Sequence, residues 1–287
     1  MASLPHAEPS RETSRRAADP GYRVAGAGTP IVLLHASLGS KAQWTPLMLR
    51  LAARYRAVAI DLCGYGGNAP LQRAWSTFGL DDEVAPVMRR MDELVGARTR
   101  VHVVGHSYGG LVALRLALSR SDRVASLTLY EPVVFRALDA DDEMLAQAQR
   151  LSEHVAALAA TGQRHEAARS FIDFWSGEGS FGSLPLPVQA ALAGRVDKLP
   201  YDFRAALSWP LDADDLRAVV APTLLIVGTR SPAIVQRIHA RLTRLVSGRR
   251  VASFDAGHMG PVTHAHRINP WIEAFVDVCA EGQGRRP

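Results

Sequence analysis

One stretch restricts the fold of this chain more than any other: Val101-His102-Val103-Val104-Gly105-His106-Ser107-Tyr108-Gly109-Gly110, followed by the helix-forming apolar segment Leu111 to Leu118. A short apolar run leads directly into Gly-His-Ser-Tyr-Gly, a G-x-S-x-G spacing, and then into a helix. A turn this tight excludes bulky neighbours, so glycines flank the serine. The hydroxyl is lifted out of the fold, and the next backbone N–H points at whatever that hydroxyl attacks. The helix N-terminus adds partial positive charge where an oxyanion would form. A Gly/Ser turn without chemistry is the competing reading; the strand before and the helix after favour a nucleophile.

The rest of the chain supplies a frame for such a turn. Strands are expected at Tyr22–Ala25, Ile31–Leu34, Ala57–Ile60, Val124–Tyr130, Pro222–Gly228 and Val251–Phe254. Helices are expected at Lys41–Arg54 (capped by Ser40), Asp82–Val95, Pro232–Leu245 and His266–Ala280. The β-branched and aliphatic runs suit strands buried on both faces, and the alternation implies a parallel sheet covered on both sides. Catalytic groups in such sheets lie at the carboxyl ends of strands. The loops that matter therefore follow Leu34, Ile60, Gly105, Tyr130, Val227 and Phe254.

The alternation breaks from Val133 to about Val219. Met144, Ala148, Leu151, Val155 and Leu158 recur at helical spacing after the capping pair Asp141 and Asp142, and Glu166 to Trp175 continues as a second helix. Further helical pieces are expected near Val188–Val196 and Asp202–Trp209. This is a helical insertion, not part of the sheet. Its aromatic residues, among them Phe171, Trp175 and Phe203, either line a pocket or fill the insertion's own small core, and most are expected to do the second.

Composition excludes several classes of function. With 287 residues and 47% hydrophobic content, the chain can bury a full core as one large domain or a domain with an insertion. The formal charge is +5, yet the basic residues are nearly all arginine, with Lys41 and Lys198 the exceptions, and no basic stripe interleaves with aromatics. Nucleic-acid binding is not expected. Cys63 and Cys279 make no disulfide framework, which points to a reduced, cytoplasmic compartment. The polar start, Met1 to Pro20, has no apolar core of a signal peptide and reads as a disordered tail; no run suits a membrane span. Metal, nucleotide and flavin motifs are absent, so no cofactor is expected, and no motif sets an oligomeric state.

A serine hydroxyl needs a base to take its proton. Of ten histidines, His258 follows the last strand directly after a glycine and is the candidate base. His35 and His106 also stand at strand ends and are expected to hold loops. His264 and His266, at the start of the final helix, have a spacing that suits a metal but are weak evidence alone. A carboxylate should orient the base. The loop after Val227 reads Gly228-Thr229-Arg230-Ser231-Pro232, and no Asp or Glu occurs from Thr229 to Phe254. Glu131, at the end of the preceding strand, is favoured, with Asp61 and Asp255 as alternatives. The oxyanion would be held by the backbone N–H groups of Tyr108 and Ser37.

These motifs resemble the α/β-hydrolase superfamily, in the branch of cofactor-free serine esterases and lipases. His35-Ala36-Ser37-Leu38-Gly39-Ser40 is similar to the family's H-G-x-x-G-S oxyanion loop, with alanine for glycine. Asp61-Leu62-Cys63-Gly64-Tyr65-Gly66 is similar to its D-x-x-G-x-G turn, Gly105 to Gly109 to its nucleophile elbow, and Gly257-His258 to its histidine loop. Ser231 stands where the family's aspartate is usual, and Glu131 matches the glutamate that some members carry after the preceding strand. The resemblance implies an α/β fold with a mostly parallel central sheet, helices on both faces, and a helical cap inserted after the family's sixth strand. The family's first strand would be missing. The expected division is a tail at 1–21, a core at 22–132 and 220–287, and a cap at 133–219. The expected activity is hydrolysis of a small to medium carboxylic ester or thioester through an acyl-enzyme, with a small-molecule acyl substrate. The same residues would also serve an acyltransferase, a C–C bond hydrolase or a perhydrolase, or survive in a ligand-binding pseudoenzyme.

Overall fold

The computed structural model describes residues 19–283. Most of the expected tail therefore lies outside the described residues. At its described end, Asp19 accepts a hydrogen bond from Lys41 Nζ at 2.7 Å, and the Gly21 N–H donates to Asp19 Oδ1.

Seven strands form the sheet: β1 (Tyr22–Ala25), β2 (Thr29–Leu34), β3 (Tyr55–Ile60), β4 (Val101–His106), β5 (Val124–Tyr130), β6 (Thr223–Gly228) and β7 (Arg249–Phe254). Their order is β1-β3-β2-β4-β5-β6-β7, with β1 antiparallel to β3 and every other pair parallel. The helices are α1 (Thr45–Leu51), α2 (Leu80–Val95), α3 (Tyr108–Ser119), α4 (Glu143–Ala160), α5 (Arg164–Ser176), α6 (Leu186–Ala193), α7 (Leu199–Ser208), α8 (Ala213–Arg217), α9 (Ala233–Leu245), α10 (Gly260–Thr263) and α11 (Ala265–Gln283).

Period-two alternation sends strand side chains to two cores. Ile31, Leu33, Ala57, Ala59, Val104, Leu224 and Ile226 face α1 and α11, packing with Leu47, Leu51, Ile268 and Ile272. Val32, Leu34, Val58, Ile60, Val103, Leu127, Leu129 and Leu225 face α2, α3 and α9. Both faces are buried, so the central strands read as continuous apolar runs. The helices α4 to α8 all lie between β5 and β6 in the chain, and their buried residues join the second core. No helix among the described residues is long and apolar enough to cross a membrane.

Several boundaries differ from the sequence expectation. The stretch from Lys41 is a 3₁₀ turn, Lys41–Trp44, then α1, which ends at Leu51. Residues 52–54 are needed to reverse the chain into β3, where the Arg54 N–H donates to the Leu51 carbonyl. Helix α2 starts two residues early, because the Asp82 carboxylate accepts the Gly79 N–H and so closes the N-terminus ahead of itself. On α4 the buried stripe is Leu145, Ala148, Leu151 and Val155. Met144, the expected first member, donates its backbone N–H to the Asp142 cap instead.

Candidate active site

Ser107 is the residue between β4 and α3, with φ of +55°. Its glycine neighbours are there because the backbone is crowded. A Cβ on Gly105 would lie 2.4 Å from the Gly109 carbonyl oxygen, and one on Gly109 would lie 2.4 Å from the His35 carbonyl oxygen. Neither site can hold a side chain without moving main chain. The result lifts Ser107 above the sheet at the N-terminus of α3, where its carbonyl caps Gly110 and Leu111.

Two more strand ends converge on it. His258, in the loop after β7, has Nε2 2.9 Å from Ser107 Oγ, and its Nδ1 is 2.6 Å from Glu131 Oε2. With the proton on Nδ1 donated to the carboxylate, Nε2 is the acceptor for the serine hydroxyl. Glu131 follows β5 with φ of +46°. Its other oxygen, Oε1, accepts the Gly228 N–H at 2.5 Å and the Ser231 hydroxyl at 2.6 Å. Ser231 thus stands at the end of β6 as a donor to the carboxylate. All three side chains are buried. A hydroxyl bonded to an imidazole that a buried carboxylate orients can lose its proton as it attacks a carbonyl carbon.

The alternative carboxylates are engaged elsewhere. Asp61 accepts the Lys41 backbone N–H and Nζ, each at 2.6 Å, and the Gly67 N–H at 2.8 Å, which shapes its own turn. Asp255 pairs with Arg230 at the surface.

The other strand-end histidines fasten loops. His106 Nε2–H donates to the His258 carbonyl at 2.8 Å. Burial, then the nearby His258, hold its pKa well below the ordinary imidazole value, so it stays neutral. His35 accepts the Leu62 N–H on Nε2 and donates from Nδ1 to the Ala36 carbonyl. Burial lowers its pKa to about 4. It therefore ties the turn after β3 to the loop that carries Ser37. That loop holds Leu38 at φ +58°. His264 touches Thr263 and the Arg230 guanidinium, whose positive charge opposes a metal there.

Ser37 and Tyr108 line a slot of about 20 Å³ together with Ser107, walled by Val133, Phe135, Phe203 and Ala206. On the other side of Ser107, a cleft of about 550 Å³ runs past His258 between the 36–43 loop and the insertion, lined by Phe171, Ile172, Leu184, Val188 and Leu192.

Two features were not legible in the sequence. Trp175 of α5 stacks on the His258 ring, with centroids 4.8 Å apart and planes 26° from parallel. Below the Ser37 loop lies a buried ion cluster. Lys198 Nζ donates to Asp202 Oδ1 at 2.5 Å and to Glu83 Oε2 at 2.8 Å. Asp202 Oδ2 also accepts the hydroxyls of Ser37 at 2.6 Å and Tyr65 at 2.7 Å. Glu83 accepts the Cys63 N–H at 2.6 Å and the Tyr108 hydroxyl at 3.2 Å. Burial pushes the Asp202 carboxyl up, against the pull of Lys198. One signal did exist: in an arginine-rich chain, both lysines are buried, Lys41 on Asp61 and Lys198 on this pair.

Comparison with known proteins agrees with this architecture. A family model described as the alpha/beta hydrolase fold matches residues 29–265. A protein of Aeromonas hydrophila subsp. hydrophila, named a pimeloyl-acyl-carrier-protein methyl ester esterase, is 31% identical over 272 residues, covering 88% of this chain and 96% of that protein. A protein of Azorhizobium caulinodans, provisionally named a carbamate hydrolase, is 36% identical over 114 residues, and the match spans only 40% of its length. Among solved structures, a hydrolase from Pseudomonas aeruginosa superposes with a TM-score of 0.73 at 21% identity, covering 89% of this chain and 93% of that one.

Proposed function

The chain belongs to the α/β-hydrolase fold family, and we propose that it is a serine hydrolase cleaving a small to medium carboxylic ester or thioester through an acyl-enzyme. The observation that carries this reading is the continuous hydrogen-bond chain from Glu131 through His258 to Ser107, drawn from three separate strand ends. The name of the Aeromonas relative supports an ester as the bond attacked. The apolar lining of the larger cleft supports a substrate whose bulk is hydrocarbon.

On this reading Ser107 Oγ attacks the carbonyl carbon while His258 Nε2 takes its proton. Glu131 keeps the ring oriented and stabilises the imidazolium. The Ser37 and Tyr108 N–H groups hold the oxyanion, aided by the N-terminus of α3. As the tetrahedral adduct collapses, the bond to the leaving alcohol or thiol breaks and the leaving group takes the proton from His258. Water then attacks the acyl-Ser107 ester, giving its proton to His258, and the serine is regenerated as the acid departs. Residues 133–219 act as a cap over a core made of 22–132 and 220–283, so one wall of the cleft comes from the insertion and the reacting groups from the loops at the strand ends.

A fluorophosphonate probe tests the assignment. The unaltered chain should label, and Ser107→Ala should lose labelling and at least about 10⁴-fold in ester turnover. Undiminished labelling of Ser107→Ala would discard Ser107 as nucleophile.

A further inference from the structure

We propose that the buried Glu83–Lys198–Asp202 cluster positions the oxyanion hole, so that the helical insertion sets the placement of both backbone donors. This inference rests on the serine-hydrolase reading above.

The two proposed donors belong to residues whose side chains end in this one cluster. Ser37 Oγ donates to Asp202, and the Tyr108 hydroxyl donates to Glu83. Lys198 joins the two carboxylates. The donors come from the loop after β2 and the start of α3, whereas Lys198 ends the 3₁₀ turn Val196–Lys198 and Asp202 lies on α7, both in the insertion. Lys198 Nζ also sits 5.1 Å from the Tyr108 ring centroid and 5.3 Å from that of Tyr65. Asp202 borders the slot beside Ser107, so the cluster abuts the place where negative charge would develop.

Oxyanion stabilisation uses only the two N–H groups, which any residue but proline supplies. Their side chains are free for another task, and here both are tethered. Burying three charged groups is expensive, and well-packed apolar residues would serve stability as well or better. What the cluster adds is fixed geometry at two points that must stay about 3 Å from one oxygen atom. A misplacement near 1 Å costs on the order of 10²-fold in rate. Lys198 also neutralises one of the two carboxylates, which would otherwise disfavour an oxyanion.

A double-mutant cycle on the full chain tests this, with p-nitrophenyl acetate as substrate and the unfolding midpoint of each variant recorded. Ser37→Ala keeps the backbone N–H and removes the tether; Asp202→Ala removes its anchor and leaves Lys198 paired with Glu83. Each should lower kcat at least about tenfold with KM changed less than about twofold. The double variant should be no worse than the poorer single one. Asp202→Asn, which keeps an acceptor for Ser37, should recover part of the kcat. Should Asp202→Ala fail to fold, Tyr108→Phe reads the other end of the cluster and should show the same loss confined to kcat. Unchanged kcat in these variants, or losses that multiply in the double variant, would overturn the inference while leaving the hydrolase reading intact. Failure of the unaltered chain to turn over esters or to label at Ser107 would overturn both.

Discussion

Glu131 holds a backbone conformation that costs a residue with a side chain about 1–3 kcal/mol, and so do Leu38 and Ser107. All three border one cavity or support it. At Glu131 the cost is offset by four hydrogen bonds: the backbone N–H to Ile226, and side-chain bonds to Gly228, Ser231 and His258. Glu131→Gln should therefore lower kcat by about 10²–10⁴-fold, since an amide cannot hold the imidazole in the required tautomer. Asp255→Asn, at the surface, should stay within about twofold, as expected of a site outside the hydrogen-bond chain. Equal losses in steady-state assays of the two variants would contradict the assignment. The 26 residues from Thr229 to Phe254 contain no acid, which turned attention in the sequence to Glu131, Asp61 and Asp255; of these, Glu131 is the one hydrogen-bonded to His258. The role of Ser231 was not legible. Its bond to Glu131 joins positions 100 residues apart, and a serine after a strand carries no local mark of such a partner.

Among the elements, the strands were the most legible. A strand buried on both faces is mostly apolar, and each expected run became a strand with its start moved by at most two residues. Helix ends in the insertion were harder: α5 and α7 pack on α4, α6 packs on α5, and α8 packs on α9 of the core. The short α8 is held by a capping box, Asp212 with Asp215, and has no apolar period to betray it. One contact between the insertion and the core has no apolar pattern to mark it: Lys198 and Asp202 of the insertion meet Glu83 of α2 and the Ser37 hydroxyl. Lys198→Met would leave Glu83 and Asp202 buried together with no cation between them. We expect a loss of about 3–5 kcal/mol in unfolding free energy, measured by denaturant titration. A loss under about 1 kcal/mol would mean that the cluster is not part of the folded framework.

For the whole molecule, the buried histidines govern the response to acid. His35 and His102 have pKa values lowered by burial to about 4, and His106 lies well below the ordinary value. Unfolded, these rings take a proton near pH 6.5; folded, they refuse it until about pH 4 or lower. Between those limits the unfolded chain binds more protons, so stability is full above about pH 6.5 and falls as the pH drops. Each histidine contributes a limiting slope of about 1.4 kcal/mol per pH unit. Asp202, whose carboxyl is pushed up by burial, acts with the opposite sign. Thermal melts from pH 7.5 to 5 should show the decline, and His102→Gln should flatten it by one proton's worth. An unchanged slope in that variant would refute the assignment of His102.

The stacking of Trp175 on His258 has a consequence for how anything reaches Ser107. If the insertion caps the site as proposed, the indole belongs to its roof and the imidazole to the floor, and the two rings share a face. A roof raised far enough to admit a bulky guest would peel one ring from the other, and a roof lowered onto that guest would restore the contact. Entry and readiness to react would then be two readings of a single movement, so the turnover of large guests would be timed by the roof and that of very small ones by the floor alone.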